Sequence, residues 1–221
     1  MSQVVLGGTA GTAVAGCPPE KRVTRSLLGY GLVAGPFYVA VALLQGAFRP
    51  GFDLTRHDVS LLSNGDWGWI QIANFCLTGA MVIACAVGVH RALRGQRGGT
   101  WGPRLLALYG LGLVAAGVFV ADPMNGFPAG APAGHPVAMT VHGTLHILAA
   151  AVGFFALIGA CWVIARSYAK WFSRATGAIF LLAFLGVASG SSSPAVVLAF
   201  WAALVLAWAW LGSLALHLYR S

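Results

Sequence analysis

Two histidines four residues apart, His142 and His146, stand in the run Thr140-Val141-His142-Gly143-Thr144-Leu145-His146-Ile147. On a helix that spacing sends both imidazoles from one face, as when a single helix offers two nitrogens to one metal ion. A catalytic zinc takes three protein ligands and keeps a fourth position for water. His57 can supply the third nitrogen. Asp122, in Val120-Ala121-Asp122-Pro123, can be the third ligand instead, orient a histidine from behind, or take a proton from bound water. Zinc would bring that water's pKa to about 7, and Ser60 or Ser63 could donate to a developing oxyanion. The plainer reading is a hydrogen-bonded histidine pair facing a hydrated crevice.

Further polar residues surround this set. If residues 52–66 were α-helical, Asp53, His57, Ser60 and Asn64 would share one stripe, with Asp53 as N-cap and Gly65 ending the helix. A short interfacial or re-entrant helix in this loop is therefore expected. Downstream, Gln71, Asn74 and Thr78 form another stripe inside an apolar stretch, where amides must face protein or a wet cavity. Asp53, Asn64, Gln71 and Asn74 are expected to support the site or contact substrate, although inter-helix bonding alone would explain the last two.

The elements that position these residues are membrane spans. Of 221 residues, 58% are hydrophobic and only 8% charged, and the mean hydropathy is +0.80. Soluble domains carry about 25% charged residues, so this chain cannot clothe a water-soluble surface. Six apolar stretches, at 26–47, 67–92, 104–122, 141–166, 175–190 and 194–219, predict an all-α bundle of six transmembrane helices. With the amino end inside, eleven Lys and Arg fall on the cytoplasmic side and only Arg49 and Arg56 outside. That excess sets orientation, with both termini cytoplasmic and a multi-pass cell-membrane location. The net charge of +8 is spread beside the apolar stretches, which excludes a nucleic-acid patch and suits anionic lipid headgroups.

Two domains are expected: a flexible cytoplasmic tail at 1–25 and a transmembrane unit at 26–220. Val14-Ala15-Gly16-Cys17 has the form of a lipoprotein cleavage box, but no Lys or Arg precedes it and Gly and Thr break the apolar run, which favours a tail. The four cysteines, Cys17, Cys76, Cys85 and Cys161, show no metal-ligand spacing, and a disulfide framework is not expected. His90 and His217 sit at cytoplasmic helix ends, where a cation suits the macrodipole.

The run from Asp53-Leu54-Thr55-Arg56-His57 through Ser60-Leu61-Leu62-Ser63-Asn64-Gly65-Asp66 to Trp69-Ile70-Gln71-Ile72-Ala73-Asn74-Phe75 closely resembles the prokaryotic membrane family called domain of unknown function 998. Asp122-Pro123 with Gly126-Phe127-Pro128, and His142-Gly143 with His146, are similar to it too. The resemblance implies six helices and no established activity. More loosely, one Ser, one Asp and three His resemble the zinc-binding membrane hydrolases that include alkaline ceramidases and progestin/adipoQ receptors. Here there are six spans rather than seven, Ser60 follows His57, and the His pair opens span four rather than lying in a last helix.

The first expectation is a membrane-embedded, metal-dependent enzyme, possessing zinc, that cleaves an amide or ester in a lipid or other apolar substrate at the outer leaflet. The alternatives are a non-enzymatic lipid-binding or transport-accessory bundle, and a haem-binding redox protein with His57 on an outer haem and His90 or His217 on an inner one.

Overall fold

The computed structural model describes residues 19–221, and the tail segment before Pro19, with Cys17, lies outside them. Six helices follow in order: α1 (Pro19–Phe48), α2 (Gly68–Ala92), α3 (Trp101–Val118), α4 (Val141–Ile164), α5 (Lys170–Ala188) and α6 (Pro194–Arg220). All six are long and apolar enough to cross a membrane. An even number of crossings returns the last helix to the side where the first begins. One end of the bundle, the loop end, carries residues 49–67, 119–140 and 189–193; the other carries the short turns and both described termini.

Each helix packs on its sequence neighbours, and α6 closes the ring on α1 while also touching α2. Glycine permits the closest approaches. A Cβ on Gly79 would stand 2.6 Å from the Gly110 carbonyl oxygen, and one on Gly112 would stand 2.8 Å from the Gly153 Cα. Helix pairs α2/α3 and α3/α4 therefore meet backbone to backbone, which replaces the hydrophobic drive that lipid removes. Exposed Trp67 and Trp69 mark the loop end, and exposed Trp101 and Trp171 the other. Amphipathic indoles prefer the two membrane interfaces, so these four frame the spanning slab.

Two expected boundaries move. The first helix begins at Pro19, not near 26, because Pro at its first position and Glu20 in its first turn extend it. The third ends at Val118, not at 122. The segment after it is non-helical, with the Phe119 amide still bonded to the Ala115 carbonyl (2.8 Å). Asp122 thus lies beyond the helix on a chain that folds back.

The expected helix in the first loop is also shorter. Residues 53–57 form hydrogen-bonded turns, and only Val59–Ser63 is helical, as a 3-10 turn. Three residues per turn break the stripe that an α-helix would have drawn through Asp53, His57, Ser60 and Asn64. Arg49 accounts for the stop. Its guanidinium donates to the Leu62 carbonyl (3.1 Å) and to that of Asn64, using carbonyls that a longer helix would need. Gly65 takes the left-handed conformation after it, at φ +72°.

Candidate functional site

A cavity of about 570 Å³ lies within the ring. Its walls are apolar along α3, α4, α5 and α6, with Leu113, Phe154, Phe184 and Leu204 among them. Its loop end is polar: Asp58 and Ser60 from the first loop, Asp122 and His135 from the second, and His146 from α4 line it. Neither Lys nor Arg is in the lining. Ile147 lines the cavity while 52% exposed, so the chamber reaches the bundle's flank between α4 and α5, the least buried helix.

His146 is buried, and its Nδ1 donates to the carbonyls of Phe119 (2.8 Å) and Ala116 (3.1 Å) at the end of α3. Carbonyls only accept, so the proton is on Nδ1 and Nε2 keeps a lone pair. That nitrogen has no partner among the described residues and the side chain lines the chamber. Asp122 is buried nearby, close enough to act electrostatically on His146. It accepts from the Thr140 amide (2.9 Å) and hydroxyl (2.6 Å), while the Thr140 hydroxyl accepts from the Gly143 amide (3.0 Å). The carboxylate therefore sits at the positive end of α4. A Cβ on Gly143 would collide with it, so glycine at that position is what admits the charge.

Asp58 precedes the 3-10 turn, and its Oδ1 is buried with no hydrogen-bond partner. Burial pushes its carboxyl above the usual range, against the opposing pull of His135 and His57. His135 in turn bonds the Gly190 carbonyl through Nε2 (3.2 Å), tying the second loop to the turn before α6 at the cavity's mouth.

The remaining sequence candidates are elsewhere. His57 is buried with both nitrogens engaged: Nδ1 accepts from the Asp53 amide (2.8 Å), and Nε2 donates to the Asn125 carbonyl (3.0 Å). Its own carbonyl accepts from the Trp201 indole of α6 (3.2 Å). Its ring packs on Phe52 and Phe127. His57 is thus a latch joining both loops to α6. His142 is exposed and meets the Phe119 ring edge-on. Asp53 is exposed; hydrogen bonds from the Thr55 hydroxyl and then its amide hold its carboxyl below the usual range. Ser63 is buried with an unpartnered hydroxyl and Asn64 donates to the Leu61 carbonyl (3.3 Å), neither lining the cavity.

Gln71, Asn74 and Thr78 join a buried network with Gln45 of α1. Gln45 (2.9 Å) and Asn74 (3.2 Å) both donate to Gln71 Oε1, Asn74 donates to the Tyr38 carbonyl (3.2 Å), and Thr78 donates to Asn74 (3.2 Å). This network seals the α1–α2 seam and does not line the cavity.

The proposed zinc ligands do not converge. Among the described residues no three His, Cys, Asp or Glu side chains form a group able to hold a metal ion. His57 has no free nitrogen, and His142 faces away from the chamber that His146 lines, so no step through a metal is derived. An outer haem on His57 meets the same obstacle, and of the inner candidates His90 has its Nδ1 bonded to the Gly99 carbonyl (3.1 Å). Sequence reasoning missed Asp58, His135 and Arg49. Four of the five acidic residues, Asp53, Asp58, Asp66 and Asp122, lie at the loop end, a signal that could have pointed to Asp58; nothing in the sequence distinguishes Arg49 from an orientation charge.

No curated protein and no solved structure matches the chain. The family model described as "Protein of unknown function (DUF998)" matches residues 32–217, reaching into all six helices, and the chain belongs to that family.

Proposed function

We propose that the chain binds an amphiphilic molecule whose apolar body lies in the cavity and whose head carries an amine or hydroxyl. The head sits among Asp58, Asp122, His135 and His146. The observation that carries this reading is the lining: apolar along its length, polar at one end, and free of Lys and Arg. A volume of about 570 Å³ falls within the range of about 300–1,000 Å³ usual for small-molecule sites. An anionic head would lose its water without meeting a cation, whereas a donor finds carboxylate and imidazole acceptors. The basic-residue bias puts the loop end outside the cell, so the ligand comes from the outer leaflet through the gap between α4 and α5.

Titration of purified protein in non-ionic detergent tests this. Dodecylamine should bind one per chain, roughly tenfold tighter than dodecyl phosphate, since a charged hydrogen bond contributes on that scale. Equal affinities, or tighter binding of the phosphate, would overturn the head assignment. Absence of saturable binding would overturn the site.

The fixed tautomer of His146 favours a second reading, cleavage of an amide or ester at the head. Nε2 would take a proton from water or from Ser60, and the Asp122 charge would stabilise the resulting imidazolium. Lipid extracts incubated with protein should then yield a product. His146→Gln should slow its formation by about 100-fold or more while dodecylamine still binds. No product from any lipid pool would leave the binding function alone.

A further inference from the structure

The deep end of the chamber holds polar groups that a simple alkyl chain does not explain. Tyr38 of α1 and Tyr109 of α3 both line it and are each 2% exposed. Neither phenol hydroxyl has a hydrogen-bond partner among the described residues. Trp208 of α6 packs against both, with ring centroids 5.1 Å from Tyr38 and 5.8 Å from Tyr109. Its Nε1 is buried and has no partner among the described residues. The other buried indoles of α6 are satisfied: Trp201 donates to the His57 carbonyl (3.2 Å) and Trp210 to the Ser173 hydroxyl (3.0 Å). Among the described residues, three unpartnered donors thus share one aromatic cluster, well inside α1, α3 and α6.

Buried donors are nearly always paired, and the hydrocarbon layer offers no water from outside. The walls around the two tyrosines are apolar, including Phe75, Leu113, Phe200 and Leu204. No other protein acceptor meets these hydroxyls, so a partner must come from what the chamber contains.

We propose that the hydroxyls of Tyr38 and Tyr109 hold a second oxygen of the bound amphiphile, a carbonyl, ether or hydroxyl group set deep in the chamber. This rests on the amphiphile reading of the same cavity and adds a requirement to it. His146 bonds to the carbonyls of Ala116 and Phe119, seven and ten residues beyond Tyr109. At 1.5 Å per helical residue the two polar ends are about 10–15 Å apart. The ligand is accordingly bipolar, with a donor head and an acceptor oxygen separated by an apolar stretch of that length.

Two probes separate the inference from the reading beneath it: dodecylamine, and 12-amino-1-dodecanol, which adds a terminal oxygen at about that reach. Wild-type protein should bind the amino alcohol about tenfold more tightly. The double variant Tyr38→Phe/Tyr109→Phe should lose that preference and bind dodecylamine as wild type does. A preference that survives in the double variant, or none in wild type while dodecylamine still binds, would overturn the deep oxygen and leave the simpler amphiphile site. That second result is also what an ordered water on the tyrosines would give. If wild type bound neither probe, the amphiphile reading would fail and this inference with it. Single variants Tyr38→Phe and Tyr109→Phe, each with half the effect, guard against a double variant that fails to fold.

Discussion

The seam between α1 and α2 and the chamber between α3 and α6 are both polar inclusions in an apolar bundle, yet they differ in what lies beside their spare polar atoms. At the seam, Gln71 Oε1 takes two donors and Asn74 both donates and accepts, while Gln45 Oε1 and Gln71 Nε2 are buried against packed helices, unpartnered among the described residues and away from the cavity. The side chains hold helices together, as amides in membranes commonly do. In the chamber, His146 Nε2, Asp58 Oδ1 and the hydroxyls of Tyr38 and Tyr109 face open space with no partner among the described residues. Residue type does not distinguish the two regions; unspent hydrogen-bonding capacity beside open space does. His57 and His146 make the point within one residue type, the first with two nitrogens engaged and the second with one.

The comparison predicts opposite outcomes on the two sides. His57→Ala should give the largest effect. It removes two hydrogen bonds and the ring contacts with Phe52 and Phe127, so thermal unfolding in detergent should show a loss of about 2–4 kcal/mol. An unchanged melting temperature would mean that the loops do not depend on this latch. Gln71→Leu should come next, at about 1–3 kcal/mol, because the Gln45 and Asn74 amides lose their acceptor. Neither variant should alter the choice between amine and phosphate heads among molecules that remain folded.

Chamber substitutions should spare stability. Tyr109→Phe removes a hydroxyl with no protein partner, and the ligand-free protein should be unchanged or up to about 1 kcal/mol more stable. A clear loss would show that the hydroxyl is spent after all. The smallest effect concerns pH. The Asp58 carboxyl is raised by burial, so between its ordinary value and its raised one the folded state holds a proton that the unfolded state has lost. Stability then falls as pH rises through that interval, with His57, His135, Asp122 and His146 as the ionisable groups around it. Asp58→Asn should flatten this slope, and a slope kept in the variant would assign it to those neighbours.

The six spans were legible because hydropathy over twenty residues needs no knowledge of tertiary contacts. The amides of the second span were legible too, since a polar residue at membrane depth must find a partner. The site was less so. The His142/His146 spacing is real, but neighbours decide what it means: α3 ends early enough to offer carbonyls to His146 and none to His142. The reach of the 52–66 stripe failed because Arg49, remote from it in pattern, captures the carbonyls that would have propagated an α-helix. Tyr38 and Tyr109 carry no local mark, being aromatic residues in apolar runs. Only the cavity makes their hydroxyls conspicuous.

Native mass spectrometry of the protein released from detergent, loaded with dodecylamine, tests the central claim most directly when wild type is compared with Ala150→Phe. Ala150 lines the chamber one helical turn from His146, and a phenyl ring there fills space that the ligand would occupy. The account predicts one bound amine on wild type and none on a folded Ala150→Phe, with Ala150→Val intermediate. Equal occupancy of wild type and Ala150→Phe would contradict it.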